Sequence, residues 1–191
     1  MKLFKSFAPV FLAALCLSFA ACSTSETAKN TSSWKDELKA SLPLLGHRNW
    51  IVVADMAYPL QAQPGIKTIF VDDSYVDILK YVHAEIEKAP HIKAAVYLDK
   101  ELDYLDEKSV PGIGALRGQM KAVFGPNAQS VLHDEMIARL DKASRVFNVV
   151  LLKSNLTIPY TTAFFELDCA YWDAPREAAL RKNLADAAAG K

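Results

Sequence analysis

Gly46-His47-Arg48-Asn49-Trp50-Ile51-Val52-Val53-Ala54-Asp55-Met56-Ala57-Tyr58-Pro59 is a short apolar run with an ionisable residue at each mouth. Trp50 to Ala54 is too short for a typical helix and is β-branched in the middle, so it reads as a buried strand. Gly46 and Pro59 punctuate the run. They set His47 in the turn that enters the strand and Asp55 where the chain leaves it into irregular structure. One stiff element thus carries a proton-handling ring near one end and an acid at the other.

Outward from this strand, helices and strands alternate. Ser33 with Asp36 three residues on has the form of a capping box, and Trp34, Leu38 and Leu42 share a helical face, so a first helix is expected from Trp34 to about Leu45. Lys67 to Val71 reads as a second strand. Asp72, Asp73 and Ser74 offer caps for a helix from Tyr75 to about Ala89, with Tyr75, Ile78, Leu79, Val82 and Ile86 as its buried stripe. His83 borders that stripe and reads as structural or solvated rather than as a ligand. Pro90 stops the helix, and Ile92 to Leu98, opened by His91, is a third strand.

The stretch 99–129 is charged at first and then rich in Gly and Pro, which suggests short helices in an excursion from the domain. Its Gly112-Ile113-Gly114 is no dinucleotide fingerprint, because no strong strand leads into it. Val131 to Ala143 is helical by its spacing, with His133 and Asp134 at its mouth. Val146 to Leu152 and Thr161 to Trp172 read as buried strands, and Ala174 to Ala189 as a solvated terminal helix. Strands separated by helices of this size imply an α/β fold, a layered domain.

The first residues read as an export signal. Lys2 and Lys5 precede an apolar segment from Phe7 to Phe19, and Phe19-Ala20-Ala21-Cys22 resembles a bacterial lipoprotein cleavage box. The expected organisation is a signal over 1–22 with a lipidated Cys22, a polar tether over 23–33, and a single domain over 34–191. That arrangement anchors the protein to a bacterial membrane in the cell envelope without a spanning helix. Ser23 after the cysteine points to the outer membrane; an uncleaved anchor or an ordinary signal peptide would still export the chain. Cys169 alone then stays in the folded part, so an internal disulfide is excluded, and its aromatic surroundings suggest a buried small hydrophobe. The Cys and His residues lack zinc spacing, so no metal is expected. The 22 basic and 22 acidic residues are spread along the chain. Without a basic stripe, nucleic acid is not an expected partner.

Leu45-Gly46-His47, the apolar strand ending in Asp55, Pro59, and Pro159-Tyr160 entering the last strand together resemble the D-ribose pyranase and L-fucose mutarotase family, over about residues 40–172. The resemblance implies a layered α/β/α domain on a central mixed sheet, and a monosaccharide isomerase with a sugar surrounded by His47, Asp55 and Tyr160, joined by His133. The family pattern has Asn two residues after the Tyr, where this chain has Thr162. The resemblance also implies a homo-oligomer with Tyr reaching a neighbour's site, and no cofactor. In this reading His47 is the general acid or base, Tyr160 its complement, and Asp55 orients His47 or grips sugar hydroxyls, while His133 and Thr162 bind substrate. His47 and Asp55 are expected to face one shallow pocket, with Tyr160 at its rim in the same or an adjoining subunit. An imidazole, which ionises near ~6.5, suits proton transfer at neutral pH. Two alternatives remain at this level: a non-catalytic sugar-binding lipoprotein and a structural protein of the envelope.

Overall fold

In the computed structural model, which describes residues 33–190, the run Trp50–Ala54 is a strand, β1, and every residue of it is buried. Its burial follows from its place inside the sheet. The further strands are β2 (Ile66–Val71), β3 (Ile92–Asp99), β4 (Gln129–Val131), β5 (Val149–Ser154) and β6 (Ala163–Cys169), and they lie in the order β2-β5-β1-β6-β3-β4. β1 and β2 pair parallel with β5, and β3 pairs parallel with β4; β6 runs antiparallel between β1 and β3. The sheet is therefore mixed, as the resemblance implied. This topology gathers the carboxyl ends of β1, β2, β3, β4 and β5 at one edge, together with the residues entering β6.

Helices cover both faces. α1 (Trp34–Ser41), α2 (Tyr75–Lys88) and α3 (Ile113–Phe124) pack on one face around Leu38, Ile78, Leu79, Met120, Ile51, Val53, Leu152 and Phe165. α4 (His133–Ala143) lies on the other, its Met136 and Leu140 against Val52, Ala54, Leu151, Phe164, Tyr97 and Tyr58. α5 (Ala174–Ala188) buries none of its residues. The expected signal, Cys22 and nearly all of the tether lie outside the described residues.

The structure differs from the sequence reading in several places. α1 stops at Ser41 and gives way to a 3₁₀ turn over Leu42–Leu44, because Pro43 has no N–H for the helix ladder and crowds the turn before it. The stretch 99–129 holds one well-formed helix, α3, whose Ile113, Leu116, Met120 and Phe124 are buried. Its glycines mark ends rather than an irregular interior: Gly112, at φ 88°, is the N-cap and Gly125, at φ 60°, the C-cap. The Glu107 carboxylate accepts the Gly112 and Gly114 amides at 2.7 Å each, and these bonds hold it below its ordinary range. β4 was unread because three residues carry no periodic pattern. β5 begins at Val149, and β6 ends at Cys169, so Tyr171 and Trp172 lie outside the sheet and Cys169 is only partly buried.

Candidate functional site

Asp55 and Asp99 are similar in construction: Asp55 follows β1, Asp99 ends β3, both stand at the carboxyl edge, and each is buried. Asp55 Oδ1 accepts the Ala57 amide at 2.7 Å, an Asx turn that folds the following loop back over the sheet. That turn sends the Tyr58 ring into the α4-side cluster, where the residue is 4% exposed. Lys153 Nζ fastens the loop by donating to the Tyr58 carbonyl at 2.7 Å.

Asp99 is 1% exposed, and its Oδ1 accepts the Nδ1–H of His133 at 3.0 Å. His133 is the first residue of α4, and its backbone amide donates to both Glu101 oxygens, at 3.2 and 3.1 Å. Glu101 thus caps the helix and fixes the imidazole over Asp99. Burial pushes the Asp99 carboxyl above its ordinary range against the pull of His133. The bond to Asp99 in turn raises His133 above the ordinary imidazole value, with Glu101 and Asp134 adding to it. His133, paired with Asp99, thus holds its proton more firmly than an ordinary imidazole, while Asp99 is pushed toward its neutral form by burial and drawn back toward its charged form by His133.

Tyr160 stands edge-on to His133, ring centroids 5.6 Å apart at 85°. Its φ is +55°, left-handed for a residue with a Cβ, and it is 39% exposed. The tight Pro159-Tyr160 turn into β6 imposes that conformation and stands the phenol beside α4 instead of along the strand. Thr162 follows, 1% exposed, next to Asp99 across the sheet, one step beyond the Leu98–Ala163 pair. Its amide bears on the Asp99 carboxylate. Tyr75 underlies this edge, its O–H donating to the Thr161 and Val53 carbonyls. Burial pushes the Tyr58 and Tyr75 phenols far up, helped by the charges of Asp141, Asp99 and Asp55 at Tyr58 and of Asp99 and Asp55 at Tyr75, so both stay protonated.

The structure therefore brings Asp55, His133, Tyr160 and Thr162 to one edge of the sheet. His47 is not among them. It sits in the turn before β1, at the amino edge, with the length of the strand, about 16 Å of extended chain, between it and Asp55. Within one chain the two cannot share a pocket, and Asp55 does not orient His47. The residue that does is Asp168, at the end of β6: His47 Nδ1 lies 2.6 Å from Asp168 Oδ1, and Arg48 Nε donates to His47 Nε2 at 3.1 Å. Arg48 reaches back through a left-handed φ of 72°. Burial works against the Asp168 charge, but the Cys169 amide, His47 and Lys93 outweigh it and hold the carboxyl below its ordinary range.

Sequence reasoning missed Asp99, Glu101 and Tyr58. The signal for Asp99 was present, since it ends the apolar run Ile92 to Leu98 as Asp55 ends Trp50 to Ala54. Of the remaining histidines, His91 Nε2 lies 3.2 Å from the Leu42 and Leu45 carbonyls, and His83 stacks on Phe124, so both hold structure. Among the described residues no group of three or more His, Cys, Asp or Glu side chains is placed to hold a metal ion.

No protein-family model matches the chain, and no curated protein sequence does. The fold is similar to that of Bacillus subtilis RbsD, solved in complex with D-ribose, with a TM-score of 0.50 and 15% identity over 69% of this chain and 91% of that one. The Streptococcus pneumoniae fucose mutarotase, solved in complex with L-fucose, has a TM-score of 0.49 and 18% identity over 69% of this chain and 91% of its own. At this identity the likeness to the Bacillus protein is one of fold: a mixed six-stranded sheet between helices.

Proposed function

We propose that this chain is a monosaccharide isomerase that interconverts ring forms or anomers of a sugar such as ribose or fucose. The observation that carries the reading is the His133–Asp99 dyad beneath Tyr160, beside Asp55 at the carboxyl edge. A fold shared with a protein solved with D-ribose supports it. In ring opening, one group takes the proton of the anomeric hydroxyl while another gives a proton to the ring oxygen. The bond from the anomeric carbon to that oxygen breaks to leave an open-chain carbonyl, and reclosure from either face gives the other anomer. His133, its Nδ1–H held by Asp99, has Nε2 free to take or return a proton. The phenol of Tyr160 faces the same space as its complement, and Asp55 accepts from sugar hydroxyls.

His47 keeps its role as acid or base only if a second copy of the chain presents its amino edge to this carboxyl edge. The proposal therefore includes a homo-oligomer. Thr162 supplies one hydroxyl where an amide would supply a donor and an acceptor, which favours a second reading: a sugar-binding protein without turnover. In either reading Cys22 carries lipid and holds the protein in the cell envelope.

Saturation-exchange NMR on D-ribose and L-fucose with the purified protein tests the first reading. Anomer exchange faster than in buffer, lost in His133→Ala, is the expected result. Binding without exchange leaves the second reading, and neither for any common monosaccharide removes both.

A further inference from the structure

Five buried side-chain atoms have no hydrogen-bond partner among the described residues. Gln61 Oε1 belongs to a side chain whose Nε2 donates to Asp141, farther along α4, and Tyr81 Oη lies on the opposite face. The other three, Tyr58 Oη, Asp99 Oδ2 and Thr162 Oγ1, lie on the α4 side. Their neighbours are satisfied: Ser154 Oγ donates to the Ala54 carbonyl at 2.8 Å and Thr161 Oγ1 to that of Ile158 at 2.9 Å. Buried donors and acceptors left unpaired destabilise a fold, so such atoms are scarce and each calls for a cause.

The three share the face of the sheet that α4 covers. In extended chain, side chains alternate between faces. Tyr97 and Phe164 lie in the α4-side cluster, so Asp99 and Thr162, each two residues away, point to that face as well. Register sets Thr162 between Ala54 and Asp99, one step beyond Val53–Ala163 and Leu98–Ala163. Tyr58 packs in the same cluster, where the charges of Asp141, then Asp99 and Asp55, act on its phenol. The His133 ring, with a quarter of its side chain exposed, is the wall toward solvent.

Their chemistry is complementary to one group in particular. The phenol O–H is a donor, the second Asp99 oxygen is an acceptor, and the threonine hydroxyl can be either. An alcohol has one hydrogen to give and two lone pairs to receive. It satisfies all three atoms at once by donating to Asp99 and accepting from Tyr58 and Thr162.

We propose that Tyr58 is a substrate-recognition residue which, with Asp99 Oδ2 and Thr162 Oγ1, reads a single hydroxyl of the bound sugar. The inference rests on the sugar-site reading above and deepens it. The hydroxyl enters past His133 and Tyr160, so the same dyad that handles the proton also fixes which way round the sugar lies. Asp99 then does two jobs with two oxygens, orienting His133 with one and the ligand with the other.

Tyr58→Phe removes the oxygen alone. Because that oxygen has no protein partner, the variant is expected to melt at the wild-type temperature or above it. Its affinity is measured by calorimetry for whichever of D-ribose and L-fucose the wild type binds more tightly, and for the monodeoxy forms of that sugar. The expected result is a loss of about 10-fold for the parent sugar. One monodeoxy form alone should bind the wild type about as weakly, and lose nothing further in Tyr58→Phe. Thr162→Ala should couple to that same hydroxyl. A loss spread evenly over all the deoxy sugars, unchanged binding, or a melting temperature lowered by several degrees overturns the inference. Wild-type protein that binds or exchanges sugar while Tyr58→Phe behaves identically overturns it alone. Wild-type protein that neither binds nor exchanges any sugar removes the proposed function and this inference together.

Discussion

Asp99 and His133 are the pair on which the proposed chemistry turns, and their titration makes the first prediction. His133 is raised above the ordinary imidazole value. A group raised in the folded state contributes stability that is full below its unfolded value, near ~6.5, and is lost as pH climbs through the folded value. Asp99, raised by burial, acts in the same direction at lower pH, since the folded chain again holds its proton more tightly. Melting temperature is therefore expected to fall from about pH 6 toward about pH 9, and to fall less in His133→Asn. Scanning calorimetry across that range checks it, and a wild-type curve no steeper than the variant's would refute it. In Asp99→Asn the amide oxygen can still accept Nδ1–H, but the charge that raises the imidazole is gone. The limb of the pH–rate profile set by His133 should move to lower pH and the rate should drop by about 10²-fold. An unchanged profile would mean that His133 is not the titrating group.

At the scale of elements, Gly65 shows how little room the fold leaves beside β2. A Cβ there would meet the Ser144 carbonyl oxygen at 2.6 Å and that of Phe147 at 2.9 Å, both backbone atoms that cannot rotate away. Gly65→Ala should destabilise by about 2 kcal/mol in chemical denaturation, whereas Gly118, with nothing within 4 Å of such an atom, tolerates the same change. α5 is the opposite case. It is capped by Asp173 and tied by Glu177 to Trp172, yet buries nothing. Ending the chain at Asp173 should shift the melting temperature by less than about 3 °C. Element positions were legible where periodicity was strong, as in β1, α2 and β3. They were not legible where caps decided, as in α3, whose glycines read as breaks because a sequence does not say which residue closes a helix. β4 is defined by pairing with Tyr97 to Asp99 across a long connection, a contact that no local pattern encodes.

For the whole molecule, the separation of His47 from Asp55 is the fact with the largest consequence. A His47 that acts on a sugar at the carboxyl edge must belong to another copy. Mixing inactive His47→Ala with inactive His133→Ala under conditions of subunit exchange should then restore about a quarter of wild-type activity, since half of the donors on each side of a shared site are intact. Sedimentation of the wild type reports whether such an assembly exists. No recovery in a mixture shown to exchange subunits would remove His47 from the mechanism.

What the chain determined by itself is local. Short β-branched runs became buried strands, helical stripes became the faces that cover them, and residue types at strand ends marked where polar chemistry could stand. These follow from periodicity and backbone sterics, which act over a few neighbours. Which of those strand ends meet is a property of strand order and direction alone. β6 runs against β1 and β3, and that reversal carries Tyr160 and Thr162 to Asp55, Asp99 and His133 while taking Asp168 to His47. Sequence spacing set His47 and Asp55 eight positions apart and so made them look like partners. An extended backbone turns the same spacing into distance, and only the folded sheet decides which acid each histidine meets.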